Sequence, residues 1–229
     1  MAIKYYHDIV QGDNAWFEKR LGLVTASKIN TILTPTGKPA KGEKVKMYAY
    51  EIASERETWR MEPQFVSFDM ERGHIQEDLA RQVYNESYAE VKLCGFIVND
   101  NFGFKIGASP DGLVGEDGGI EIKSRLSKFQ IQTVTEDIIP QEYMNQIQAC
   151  MLVSGRKWWD FVQYSNGMPM YVKRVLPDYE LHDAIVGAVT EFEQMVKEIR
   201  AVYNKNCEKL VKTSFVELEL DDEIQGSEE

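Results

Sequence analysis

The sequence has little of what marks a membrane, secreted or metal-cluster protein. No apolar run approaches the roughly 18–20 residues of a membrane span, and the N-terminal MAIKYYHDIV lacks the pattern of a secretory leader. The expectation is a cytoplasmic protein with no membrane partner. The three cysteines, Cys94, Cys150 and Cys207, stand too far apart for zinc or iron–sulfur ligand spacing. They read as reduced, mostly buried thiols. No repeat and no Pro/Gly/Ser-rich linker divides the 229 residues, so residues 1–215 are expected to form one domain. Basic charge is also short: 26 Lys and Arg against 37 Asp and Glu give a net charge of −11. Total charge alone therefore disfavours a nucleic-acid partner. The deficit is concentrated, however. Residues 216–229, VELELDDEIQGSEE, hold seven acids and no base, and residues 1–215 carry only −4. Local potential, not the total, attracts phosphate, so a basic channel can coexist with this loose acidic tail.

What is present is patterned in two periods. Residues 1–88 read as mainly helical. A hydroxyl cap at Thr25 precedes Ala26, Ile29, Ile32 and Leu33. A polar loop opened by Thr34-Pro35-Thr36-Gly37 follows, then helices over about 44–60 and 69–87. From Ala89 the period is two. VKLCGFIVND and GFKIGASPDGLVG read as strands around a turn at Asn99–Phe102, with GGIEIKS as a third. Pro140 at a first helical position opens a helix to about Val153. WWDFVQY and PMYVKRVL pair around Asn166-Gly167, and Asp178 caps a last helix to about Asn206. The predicted architecture is α/β: a central mixed β-sheet flanked by helices, with an N-terminal helical layer.

The stretch that carries chemistry is Ser109-Pro110-Asp111-Gly112 followed ten residues after the aspartate by Glu121-Ile122-Lys123. Residues two apart on a strand project from one face, so Glu121 and Lys123 point together and the preceding turn can bring Asp111 beside them. Two carboxylates and a backbone carbonyl, here that of Ile122, are oxygen donors suited to Mg²⁺. A metal so held polarises a phosphodiester and activates water. Lys123 then orients that water or stabilises the developing charge, or acts as a base if its pKa is depressed. Alone, the pattern is also what a common turn and a half-exposed strand produce.

Three further blocks accompany it: WFEKRLGLVTASKI from Trp16 to Ile29, ERGHIQEDLAR from Glu71 to Arg81, and EYMNQIQ from Glu142 to Gln148. With GASPDGL and GIEIK, these resemble the lambda exonuclease family, also described as YqaJ-like viral recombinases, over about residues 11–175. The resemblance implies a restriction-endonuclease-like PD-(D/E)XK core and a Mg²⁺-dependent exonuclease, with Mn²⁺ as a substitute. Such an enzyme digests linear double-stranded DNA 5′→3′ and leaves 3′ overhangs for phage-type recombination in a bacterial or phage-infected cytoplasm. It assigns Asp111 and Glu121 as metal carboxylates, Lys123 as the catalytic lysine, and Glu77 as a further acid for a second ion. Arg20, Ser27, Ser109 and Gln146 match its 5′-phosphate pocket, and Met70 falls near its apolar wedge between the strands. It also implies a homotrimeric ring and a single-strand annealing protein as partner.

The four tryptophans, Trp16, Trp59, Trp158 and Trp159, read as core or interface residues, and His74 as structural or DNA-facing. Arg125 and Lys128, in the chain's own middle segment 124–138, are placed to touch the DNA backbone. The alternatives are a PD-(D/E)XK endonuclease of restriction or repair type, which needs no 5′-phosphate pocket, and a non-catalytic recombination or assembly protein on the same fold.

Overall fold

The computed structural model describes residues 2–62 and 68–216, with only the backbone for 68–70. The expected tail from residue 217 onward lies outside the described residues, as does the side chain of Met70.

Two mixed sheets form the frame. The first has the order β1-β4-β5-β2, from β1 (Ile3–Tyr6), β4 (Phe96–Asn99), β5 (Ile106–Ala108) and β2 (Val24–Thr25). The second has the order β3-β6-β7-β8-β9, from β3 (Val91–Lys92), β6 (Gly112–Val114), β7 (Gly118–Ser124), β8 (Trp158–Tyr164) and β9 (Tyr171–Val175). β7 and β8 run parallel, with Glu121 opposite Phe161. A parallel pair needs a crossover, and α5 (Ser127–Glu136) and α6 (Gln141–Ser154) supply it. The remaining helices are α1 (Asn14–Arg20), α2 (Ile29–Ile32), α3 (Glu43–Thr58), α4 (Phe68–Ser87) and α7 (Tyr179–Cys207).

The apolar residues divide accordingly. The larger cluster gathers Ile29 and Ile32, Tyr48 and Ile52 of α3, Ile147 and Met151 of α6, Trp159 and Phe161 of β8, and Ile185, Val189 and Phe192 of α7. The smaller one packs Ala80 and Tyr84 of α4 on Ile120, Ile122 and Val162. Strand alternation then decides the orientation of the chemistry. Ile120 and Ile122 go under α4, so Glu121 and Lys123 turn to the other face, where Tyr143, Gln146 and Cys150 of α6 lie.

Several expectations are corrected. The sheet is two sheets, and the first 88 residues contribute strands to one of them. β1 is a short edge strand paired with residues 90 to 96 positions on, and β2 has two residues, too few to display a period. Each segment expected as one strand around Asn99–Phe102 is two short ones. Thr25 does not cap a helix with its hydroxyl: Oγ1 pairs with Ser27 Oγ at 3.2 Å, and a three-residue 3₁₀ turn precedes α2. Pro140 stands one residue before α6, not inside it. Segment 124–138 is largely the helix α5, whose β-branched residues gave no helical signal. The long helix of the C-terminal half begins as expected, with Leu181 N–H donating to Asp178 Oδ1 at 3.1 Å. Cys94 and Cys150 are buried free thiols and Cys207 is half-buried.

Candidate active site

Asp111 leaves the end of β5 on the Ser109–Asp111 turn, and its Oδ2 accepts the Ile122 N–H at 2.6 Å. A residue's N–H and C=O leave an extended strand on the same side, so this bond turns the Ile122 carbonyl toward Asp111 as well. Glu121, 1% exposed, accepts through Oε1 from Lys123 Nζ at 2.5 Å and from Gln146 Nε2 at 2.6 Å. Among the described residues, its Oε2 meets only the Cys150 thiol, 4.0 Å away. Burial, reinforced by the facing Glu77 charge, pushes Asp111 up to about 7. Burial, with Asp111 adding to it, does the same to Glu121, also to about 7. Burial alone would pull the Lys123 amine down, but the two carboxylates more than offset it and hold the amine above its usual value. Lys123 is therefore an ammonium here. Glu77 reaches the group electrostatically from α4, raised by burial and held by an ion pair with Arg81.

Among the described residues, no three His, Cys, Asp or Glu side chains converge closely enough to hold a metal ion by themselves. The donors on hand are the Asp111 and Glu121 carboxylates and, by strand geometry, the Ile122 carbonyl, all oxygen. That set fits Mg²⁺, which takes one or two protein carboxylates and keeps its waters, better than a softer metal wanting nitrogen or sulfur.

A second cluster adjoins the first through the same turn. Ser109 Oγ accepts from Arg20 Nη1 at 2.9 Å and from Trp16 Nε1 at 2.9 Å, while the Arg20 guanidinium lies over the Trp16 ring, 4.2 Å from its centre. Burial pulls the Arg20 pKa down, opposed by Tyr48 and Glu55. Arg20 and Ser109 are thus in direct contact. Ser27 is exposed and bonded to Thr25, not to either of them, and Gln146 sits on Glu121.

Four participants were not legible in the sequence. Trp16 is a donor to Ser109 beside Arg20 and not simply core. Arg81 Nε donates to the Asp111 carbonyl at 2.8 Å, tying α4 to the turn. Gln11 Nε2 donates to the Pro110 carbonyl at 2.8 Å, and the Tyr143 ring centre lies 5.4 Å from Lys123 Nζ. Only Arg81 carried a signal, through its i, i+4 spacing from Glu77. Of the other tryptophans, Trp159 is core, Trp158 lies under Arg174, and Trp59 is 80% exposed. Arg125 lies over Phe129 and beside Glu142, Lys128 is exposed, and His74 is exposed on α4.

A strand pair delivering Asp, Glu and Lys to one spot marks the PD-(D/E)XK nuclease class. Comparison with known proteins narrows this: residues 15–157 match the YqaJ-like viral recombinase domain, and the chain belongs to that family. An alkaline exonuclease from Laribacter hongkongensis is 30% identical over 85% of this chain and all of its own, with a TM-score of 0.71. The same enzyme solved with dAMP gives the same values. A phage-related exonuclease from Haemophilus somnus 129PT shares the fold at 14% identity and a TM-score of 0.60, covering 79% of this chain and 96% of its own. Comparison with curated proteins returned no match. The protein is a nuclease-family member, and no described helix is long and apolar enough to cross a membrane.

Proposed function

We propose that this protein is a Mg²⁺-dependent exonuclease of linear double-stranded DNA that digests one strand 5′→3′ and leaves a 3′ single strand for phage-type recombination in the cytoplasm. The observation that carries the reading is that one turn serves both clusters. Ser109 takes the Arg20 guanidinium, and Asp111, no more than about 7 Å further along the chain, takes the Ile122 N–H beside Glu121 and Lys123. A phosphate on Arg20 is thereby held at a short, fixed offset from the reacting bond. The relative that was solved with dAMP, a nucleoside 5′-monophosphate, agrees with a site for such a group.

Asp111, Glu121 and the Ile122 carbonyl are the residues to hold Mg²⁺, with Glu77 as the reserve acid for a second ion; Mn²⁺ is the natural substitute. The ion supplies polarisation of the phosphodiester and acidification of water. The Lys123 ammonium stabilises the charge that grows on the phosphoryl oxygens, and Gln146 and Lys123 hold Glu121 in place. Hydrolysis breaks the P–O3′ bond between the first and second nucleotides. The O3′ leaves with the released mononucleotide, and the next nucleotide keeps the phosphate, which refills the Arg20 pocket. Protons compete for two acids pushed up to about 7, so activity rises with pH through that region. The Laribacter relative is called an alkaline exonuclease, which agrees.

Residues 1–215 form the exonuclease domain in this reading. A homotrimeric ring needs two different surfaces that close on each other. Exposed Ile75, Leu79 and Val83 along α4, and exposed Ile131, Val134 and Ile138 on and just after α5, are candidates for them. Sedimentation at micromolar concentration should give a trimer; a processive monomer would remove the ring. A single-strand annealing protein is the natural partner for the product.

The deciding experiment compares wild type and Arg20→Ala at initiation on 5′-phosphate and 5′-hydroxyl duplexes. A hydrogen bond to a charged group carries about 1.5–3 kcal/mol, so the variant should slow phosphorylated ends roughly ten- to a hundredfold and hydroxyl ends little. Equal initiation of both ends by wild type, with cleavage of closed circles, would favour the endonuclease. No cleavage under any divalent metal would favour the non-catalytic alternative.

A further inference from the structure

α3 presents two consecutive residues to a single glycine of the turn between α1 and β2. The Gly22 N–H donates to Glu55 Oε2 at 2.6 Å, and the Gly22 carbonyl accepts from Arg56 Nε at 2.8 Å. Both polar groups of one residue are thus gripped by neighbouring side chains of a helix. The grip is anchored at its far side, where the Arg56 guanidinium makes two 2.7 Å bonds to Glu193 of α7. It also demands glycine: φ is +67°, and a Cβ there would meet Arg56 Cγ at 2.7 Å. Glu55 is 6% exposed, a buried acid outside the nuclease chemistry. An acid is taken out of water at a cost that only specific partners offset. Two residues before Gly22 stands Arg20, whose guanidinium is fixed against Ser109 and the Trp16 ring. Glu55 is near enough for its charge to favour the Arg20 cation.

We infer that Glu55 and Arg56 are positioning residues for Arg20: by locking the Gly22 turn they hold the guanidinium against Ser109, and so set the preference for a 5′-phosphorylated end. This rests on Arg20 as the phosphate reader.

The test measures initiation on 5′-phosphate and 5′-hydroxyl duplexes for Glu55→Ala, Glu55→Gln, Arg56→Lys, Arg20→Ala and the Glu55→Ala/Arg20→Ala double variant. Glu55→Gln keeps an acceptor for the Gly22 N–H and should keep the preference. Glu55→Ala and Arg56→Lys should each lose about tenfold of it, the scale of one charged hydrogen bond, while hydroxyl ends change little. In the Arg20→Ala background, Glu55→Ala should add nothing further. Equal loss on both ends, or losses that add, would make the grip merely structural and overturn the inference. If Glu55→Ala does not fold, Arg56→Lys carries the same comparison. If wild type and Arg20→Ala treat both ends alike, the phosphate reading has failed, and a crystal structure of Arg56→Lys decides the positioning claim. The Arg20–Ser109 bond intact would overturn it; the bond broken would support it.

Discussion

Two buried acids stand on neighbouring strands, and their surroundings differ. Asp160 of β8 is 3% exposed and saturated: Arg174 reaches both oxygens at 2.8 and 3.0 Å, and the Tyr84 hydroxyl donates at 2.7 Å. Glu121 of β7 has both its strong partners on one oxygen, while the other faces a thiol, and burial raises it. The first is a finished ion cluster that fastens β8, β9 and α4 together. The second is unfinished, and a buried polar oxygen without a strong donor is costly unless something binds there. Incomplete satisfaction, more than burial, is what marks Glu121 rather than Asp160 as the candidate for chemistry.

The sharpest way to break this comparison is mutation of each. Lys123→Ala and Glu121→Gln should each reduce cleavage at least a hundredfold, the scale of losing one preorganised charge at the reacting centre. Glu121→Gln should not lower the melting temperature much, because an amide suits the buried position at least as well as a carboxylate pushed up to about 7. Asp160→Asn should do the reverse. It should cost about 2 kcal/mol of stability, below the range for fully buried pairs because Arg174 is half exposed, and leave the rate per folded molecule near wild type. A Glu121→Gln protein destabilised as much as Asp160→Asn would erase the distinction.

pH gives the next largest contrast. In an unfolded chain Asp and Glu ionise near pH 4, whereas the folded chain holds Asp111 and Glu121 up to about 7. Between those limits the folded state keeps protons that the unfolded state has released. Metal-free stability should therefore fall as pH rises from about 4 to about 7. Added Mg²⁺ should restore more stability at pH 8 than at pH 6, since protons no longer compete. Thermal melts in chelator and in Mg²⁺ across that range test this, and a difference independent of pH would show that these acids do not hold the ion.

The smallest effect sharpens a single assignment. Gln146 was matched to the phosphate pocket, yet its amide lies on Glu121. Gln146→Ala should slow phosphate and hydroxyl ends alike, by roughly fivefold for one neutral hydrogen bond of about 1 kcal/mol. A loss confined to phosphorylated ends would return it to the pocket.

The centre of the site was readable because it lies within one strand and one turn. GGIEIKS alternates, so the pairing of Glu121 with Lys123 follows from period alone, and Pro110-Asp111-Gly112 marks the turn before it. Asp178 was readable for the same reason, its partner being three residues away. Trp16 on Ser109, Arg81 on Asp111 and Glu55 on Gly22 were not, because each joins residues 30 to 93 positions apart. No local pattern encodes such a meeting. β1 and β2 escaped for a related reason: their evidence is a distant partner, not a period.

The parallel pairing of β7 with β8 also governs when the candidate site can form. The acid and the amine are synthesised by residue 123, but the strand that seats them runs from Trp158 to Tyr164, and Gln146 lies on the crossover between. A nascent chain holding the whole Asp-Glu-Lys set still lacks the partner strand until some 40 residues later. Long-range parallel pairing is also a slow step in folding. A chain cut short before Trp158 therefore carries the whole Asp-Glu-Lys set but not the strand that seats it, and should show no cleavage.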